Sequence, residues 1–376
     1  MLKRDRAAYA ATLDPKAAKF RAAQLAVFAN LAPVPLGSWT YVVDEAPGDD
    51  RVTDAIRAKH RADEVYAPAV GLRYKLKGFD SQPTELTLRA TFVRRGAKWY
   101  LASDSDFDRP GHATARELWD FGPIDVVRTA RSLVLGPRGR RPYLQSVARD
   151  TDAAVPRVSA VWGSAWSQRV VVLVPTSQRQ VSDLIGTKTV LSQIAAVAVS
   201  QVAGNGGAYR AVGSRIIVNP PNFDQLTSLG RRVVLAHEVT HVASRDMTGP
   251  AAPAWLVEGF ADYVGYRGTA VDPQSAAREL SLDIQQRQAP KALPVESDFH
   301  GGNVKLAQSY EGAWLACRMI AEQHGEPTLL AFYRAVGTSK AAGQQEAVRV
   351  AMKTYLGLTP DEFTAAWRTY VEETLQ

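Results

Sequence analysis

"VVLAHEVTHVA", residues 233–243, holds two histidines four positions apart, with a glutamate directly after the first. A helix advances about 100° per residue, so His237 and His241 share a face one turn apart, with their rings about 6 Å from each other. Two histidines at that spacing can share one tetrahedral zinc. Glu238 is turned by one residue. It misses the metal but reaches a water beside it, where it can serve as the base of a metal-assisted hydrolysis. The five residues alone fit an ordinary helix with two histidines about as well as they fit a metal site.

The next helix tips that balance. A zinc held by two histidines needs a third protein ligand and one open position. In "PAWLVEGFADY", residues 253–263, Pro253 suits the first turn of a new helix. An antiparallel return of that helix brings Glu258 towards the two rings. Asp262, one turn further on the same face, can accept the second ring N–H of a liganding histidine and fix its tautomer. Trp255, Leu256, Val257 and Phe260 give Glu258 an apolar neighbourhood, unlike that of a solvated helix glutamate.

HEVTH followed by WLVEGFADY resembles the gluzincin zinc metallopeptidases, most closely their peptidase MA-like members. The resemblance spans roughly 125–376. It implies an α+β, thermolysin-like domain with a mixed sheet, active-site helices and a mainly helical C-terminal part. It implies one Zn2+ per chain on His237, His241 and Glu258, with Glu238 as general base and Asp262 supporting a ligand. It also implies that "SRIIVNP", 214–220, is the edge strand, so that Ile216, Ile217, Val218 and Asn219 line an extended peptide or protein substrate. "SYEGAWLACRMIAEQHGEPTLLAFYRAV", 309–336, is similar to the stretch in which aminopeptidase-related gluzincins carry an oxyanion-stabilising tyrosine. Tyr310 takes that place, although Gly312 falls one position early; His300 is a second candidate donor. The Gly-x-Met-Glu-Asn segment that holds a substrate's amino terminus in that branch has no counterpart. "GNGGAYRAVGSRIIVNP", 204–220, contains no glutamate, which favours an endopeptidase.

The first hundred residues suggest a separate small α+β unit. "AAYAATLDPKAAKFRAAQLAVFANL" has apolar residues at helical spacing. "SWTYVVDEA", "VGLRYKLKGF" and "TELTLRATFVRRGAKWYLASD" alternate as strands, the last as a hairpin turning at "RRGAK". Helices followed by an antiparallel sheet resemble the nuclear transport factor two-like cone fold, which implies an accessory or docking module. The expected division is a cone-like domain at 1–105, a linker at 106–123 rich in Asp, Gly and Pro, and the metallopeptidase domain at 124–376.

The rest of the composition mainly excludes. The chain has 376 residues, 46% apolar and 22% charged, as in ordinary globular proteins. Its net charge of +7 is carried by scattered arginines whose tightest cluster is "RGRR" at 138–141, which does not make a nucleic-acid surface. Cys317 is the only cysteine, so an internal disulfide and a thiolate zinc site are both excluded. No run reaches the roughly 18 apolar residues of a membrane span; "IAAVAVSQVAG", 194–204, is the most apolar and is too short. "MLKRDRAAYAATLD" does not read as a signal peptide. Abundant alanine and arginine with little lysine suggest a GC-rich bacterium. Two-part chains of this style in such bacteria are commonly exported, so a cell-envelope location, tethered through a missing N-terminal segment, is the expectation. Two other readings stand beside the peptidase: an inactive metallopeptidase fold acting as a scaffold, and ligand binding in the N-terminal cone.

Overall fold

The computed structural model describes residues 1–47, 50–186, 192–203 and 210–376. Two helices, α1 (Arg6–Ala11) and α2 (Ala18–Asn30), open the chain. The sequence suggested one helix here; Asp14 and Pro15 interrupt it, because proline cannot donate into a helix interior. Then come β1 (Leu36–Pro47), α3 (Asp54–His60), β2 (Glu64–Tyr66), β3 (Pro68–Leu76), β4 (Thr84–Arg89), β5 (Thr91–Arg95) and β6 (Lys98–Ser103). They form two antiparallel three-stranded sheets, β1-β3-β4 and β2-β5-β6. The β5–β6 hairpin turns where "RRGAK" placed it.

The second part builds a five-stranded sheet from β7 (Ile124–Arg128), β8 (Ser132–Pro137), β9 (Val170–Leu173), β10 (Ala196–Ala203) and β11 (Arg210–Val218), in the order β10-β11-β9-β8-β7. The inner three strands run parallel, and both edges are antiparallel. The helices α4 (Arg141–Trp162) and α5 (Gln178–Ile185) lie between its strands in sequence. After the sheet the chain is helical: α6 (Pro220–Phe223), α7 (Ser228–Ser244), α8 (Ala254–Tyr266), α9 (Pro273–Ala276), α10 (Arg278–Gln285), α11 (Leu306–His324), α12 (Glu326–Gly337), α13 (Gln344–Ala351) and α14 (Pro360–Leu375). No helix among the described residues is long and apolar enough to cross a membrane.

Alternating side chains of the central sheet go to two different cores. Val134, Val172, Ile216 and Val218 join the helical core with α4, α7, α8 and α11. Leu133, Leu135, Val171, Leu173 and Ile217 point the other way, onto Leu31, Val34, Leu72, Tyr74 and Leu76 of the N-terminal unit. The inner strands are thus buried on both faces, which explains their continuous apolar runs. The N-terminal unit thus covers the second face of the sheet. The stretch 106–123 is no free linker, because Leu118 and Trp119 are 3% and 2% exposed inside the shared core.

A buried polar network crosses the same boundary. Arg215 of β11 makes a two-pronged ion pair with Asp80, at 2.7 and 2.8 Å, and sits over the Tyr74 ring. The Tyr74 hydroxyl donates to Glu117. Burial pushes the Glu117 carboxyl up to about 7, against the opposing pull of Tyr74 and Arg215.

Two outcomes are expected from this layering. Denaturation monitored in both halves gives one transition, and Arg215→Ala lowers stability by about 3–5 kcal/mol because Asp80 is left buried without its partner; two separate transitions would contradict the shared core. The folded Glu117 holds its proton above the pH at which the unfolded residue loses it. Its contribution is therefore present below the ordinary glutamate range and lost as pH rises through about 7. Wild type should lose melting temperature between pH 5 and 8, and Glu117→Gln should flatten that slope.

Candidate metal centre

Three helices build the site, and local chemistry sets each in place. Thr227 caps α7, its hydroxyl accepting from the Gly230 N–H at 3.0 Å. Leu235, Ala236, Val239 and Ala243 bury the helix in the apolar core. Pro253 precedes α8, whose Leu256, Phe260 and Val264 are fully packed. Two glycines of α8 then allow close helix contact. A Cβ on Gly259 would fall 2.2 Å from the Ala313 carbonyl of α11, and one on Gly265 would fall 3.1 Å from the Val233 carbonyl of α7. Nothing larger than hydrogen fits at the first.

The antiparallel return expected of α8 is present. His237 Nε2 and His241 Nε2 stand 2.9 Å apart, and Glu258 Oε2 lies 3.2 and 3.3 Å from them. The ring centres are 4.6 Å apart. His237 Nδ1 donates to Asp262 Oδ1 at 2.7 Å, so Nε2 is left as the lone-pair atom. Three such atoms converging in a buried place repel unless a proton or a metal cation lies among them. Ligand atoms about 2.0–2.1 Å from a tetrahedral zinc stand about 3.3 Å from one another, close to the spacing observed. Two imidazoles and a carboxylate are also a donor set that zinc favours. The residues fit the metal; among the described residues this is the one group of side chains that could hold it.

The neighbouring charges explain the titration of each group. Burial would raise Glu258, but the facing His241 and His237 outweigh it and hold the carboxyl well below its usual range. Burial would lower His237, yet Asp262, Glu258 and Glu238 raise it well above the ordinary histidine value. Glu238 is 5% exposed and pushed up by burial, with the histidines and a hydrogen bond from the Ala198 backbone of β10 pulling the other way. Its Oε2 atom is buried without a hydrogen-bond partner.

Tyr310 enters from the second turn of α11, its ring 6.2 Å from that of His237 and its hydroxyl on the side of Glu258. Burial first, then the carboxylates of Glu258, Asp262 and Glu238, keep it protonated far above the usual tyrosine value. His300 is exposed at the end of a 3-10 turn (Glu296–Phe299); its neighbour Phe299 turns inward instead and packs edge-on against Tyr310 at 5.3 Å.

One expectation is overturned. The strand β11 is not an edge: β10 flanks it on one side and β9 on the other. Ile216, Ile217, Val218 and Asn219 are at most 1% exposed and cannot meet a substrate. Asn219 instead secures the start of β10, its side-chain amide donating to the Ile194 carbonyl at 2.7 Å. The edge beside the site is β10, which the sequence hides because "AVAVSQVA" is rich in alanine and carries little polar alternation. Residues 204–209 of the glycine-rich stretch lie outside the described residues.

No family model and no curated protein matches the sequence. Among solved structures, a mutant of the M1 zinc metallopeptidase from Deinococcus radiodurans is similar at 14% identity and a TM-score of 0.39, over 82% of this chain and 62% of that one. Native yeast LTA4 hydrolase aligns at 12% identity and a TM-score of 0.41, over 75% and 43%. The same yeast enzyme in complex with Bestatin aligns at 11% and 0.41, over 90% and 61%. The chain thus spans less than two thirds of the length of each. All three scores lie below 0.5, so the chemistry of the site rests on its own residues.

Metal analysis of the purified protein should find one zinc per chain, lost in His241→Ala. In Asp262→Asn the affinity should fall about 10–100-fold. Because Asp262 and its neighbours hold a proton on His237, metal and proton compete, and affinity should rise steeply from pH 6 to pH 8. Chelator competition that gave a pH-independent affinity would contradict this donor set.

Proposed function

We propose that the protein is a zinc-dependent peptidase. The observation that carries this reading is the convergence of His237 Nε2, His241 Nε2 and Glu258 Oε2, with the unpartnered Oε2 of Glu238 one residue along the same helix. Zinc bound there supplies Lewis acidity at neutral pH.

The chain's own residues do the rest. Glu238 accepts a proton from the attacking water at its free oxygen and passes it to the leaving nitrogen; burial raises its basicity for that task. Asp262 keeps the His237 ring in one tautomer and one orientation. Tyr310 stays protonated and donates its hydroxyl hydrogen to the oxygen that gains charge. A peptide in extended form is the substrate that suits the end strand β10. No carboxylate occurs on β10 or β11 to bind a free amino terminus, which favours cleavage within a chain over removal of its first residue.

A scaffold without activity would have no use for a buried glutamate with an unpartnered oxygen, since burying such a group costs stability.

Glu238→Gln should retain zinc and lose about 10²–10⁴-fold in kcat. Tyr310→Phe should lose about 10²-fold in kcat with KM little changed. Both are measured on internally quenched peptides with a chelator control, and full activity of Glu238→Gln would sink the mechanism.

A further inference from the structure

The strand that meets the catalytic base is fastened from outside its own sheet. The strand β10 packs directly on α7 with the Ala198 backbone facing the Glu238 carboxylate, so the height of β10 above α7 governs what that carboxylate meets. Three residues further along, Gln201 reaches across to the N-terminal unit. Its Oε1 accepts the Glu85 backbone N–H at 2.8 Å, and its Nε2 donates to the Glu85 carbonyl. A side-chain amide thus takes both backbone bonds that a neighbouring strand would offer to β4, and so joins the edge of the N-terminal sheet to the edge strand at the metal centre.

Two other features serve the same junction. Between the pairs Val199↔Arg215 and Gln201↔Val212 the strand β11 carries one extra residue, a bulge with Gly213 at φ +61°. A Cβ on Gly213 would lie 2.2 Å from the Thr84 hydroxyl, so β11 and the start of β4 touch there. Arg215, on the far side of the bulge, reaches the same Thr84 hydroxyl at 3.4 Å as well as the buried Asp80. Thr84 and Glu85 therefore sit against the bulge on one side and the Gln201 amide on the other.

We propose that Gln201 is a positioning residue for Glu238: its bracket on Glu85 lets the N-terminal unit hold β10 where the Ala198 backbone meets the base. The inference rests on the peptidase reading of the site. It gives the N-terminal unit a part in catalysis without any contact to substrate or metal.

The test uses the full zinc-loaded chain with Gln201→Glu, which keeps the length and removes the donor, and Gln201→Ala. Both variants should keep one zinc per chain and a wild-type melting temperature within a few degrees. Amides 196–199 should exchange with solvent about tenfold faster, while those of 235–241 are unchanged. Peptide turnover should fall about tenfold in kcat with KM within twofold, since small misplacement of a catalytic group lowers rate without removing binding. Unchanged exchange over 196–199 overturns the proposal whatever the activity; a rise in KM alone overturns it too, because Gln201 would then act on substrate. If zinc-loaded wild type hydrolyses no peptide, the peptidase reading fails, and the exchange comparison alone decides whether Gln201 holds β10.

Discussion

Everything at the metal centre depends on one constraint: three lone-pair atoms are held within 3.3 Å of one another inside an apolar helical stack. Such an arrangement is costly to fold around nothing, and the surroundings are built to maintain it. The approach of α8 to α11 and α7 is bought with glycine at 259 and 265, where a side chain would meet a carbonyl. The Asp262 bond fixes the His237 ring so that its lone pair faces inward. Phe299 packs edge-on against Tyr310 and limits where its ring can turn.

The same logic extends to the second layer. A sheet with large aliphatic residues on both faces needs two covers; α4 and the C-terminal helices supply one, and α5 covers only part of the other. The N-terminal unit supplies the rest and brings charged groups with it. Arg215 and Asp80 are each almost wholly buried, and a pair of that kind adds little net stability over apolar packing of equal size. Its consequence is specificity of placement. Only one docking of the two layers satisfies Arg215, Asp80, Tyr74 and Glu117 together, and that docking also sets Glu85 beside Gln201.

The metal site was legible in the sequence because its residues obey helical spacing. The intervals from His237 to His241 and from Glu258 to Asp262 are one turn each, and chemistry alone ties the two helices together. The strands were less legible. The resemblance makes "RIIV" an edge, yet a continuous aliphatic run is what a strand buried on both faces requires, and β11 lies inside the sheet. The edge, β10, alternates alanine with valine in place of polar with apolar residues, which weakens the pattern by which strands are recognised. The polar composition of 106–123 suggests a linker, but Leu118 and Trp119 anchor it; two large apolar residues outweigh the turn-forming residues around them. Gln201 gave no signal at all, since a glutamine that imitates a backbone partner has no spacing rule.

Glu238 and Glu258 illustrate how position on a helix gives one residue type opposite titration behaviour. Both are enclosed by the same helices, and burial pushes both carboxyls upward. Glu258 comes from a facing helix and lies within 3.3 Å of both imidazole nitrogens, so charge attraction overrides burial and keeps it ionised. Glu238 follows His237 on the same helix and is turned about 100° away from the shared face. It feels the histidines at longer range and has one backbone donor, so burial wins and its proton affinity rises. A ligand must stay anionic, whereas a base must take a proton and release it. Two carboxylates whose environments drive them apart in this way are suited to separate roles in one reaction.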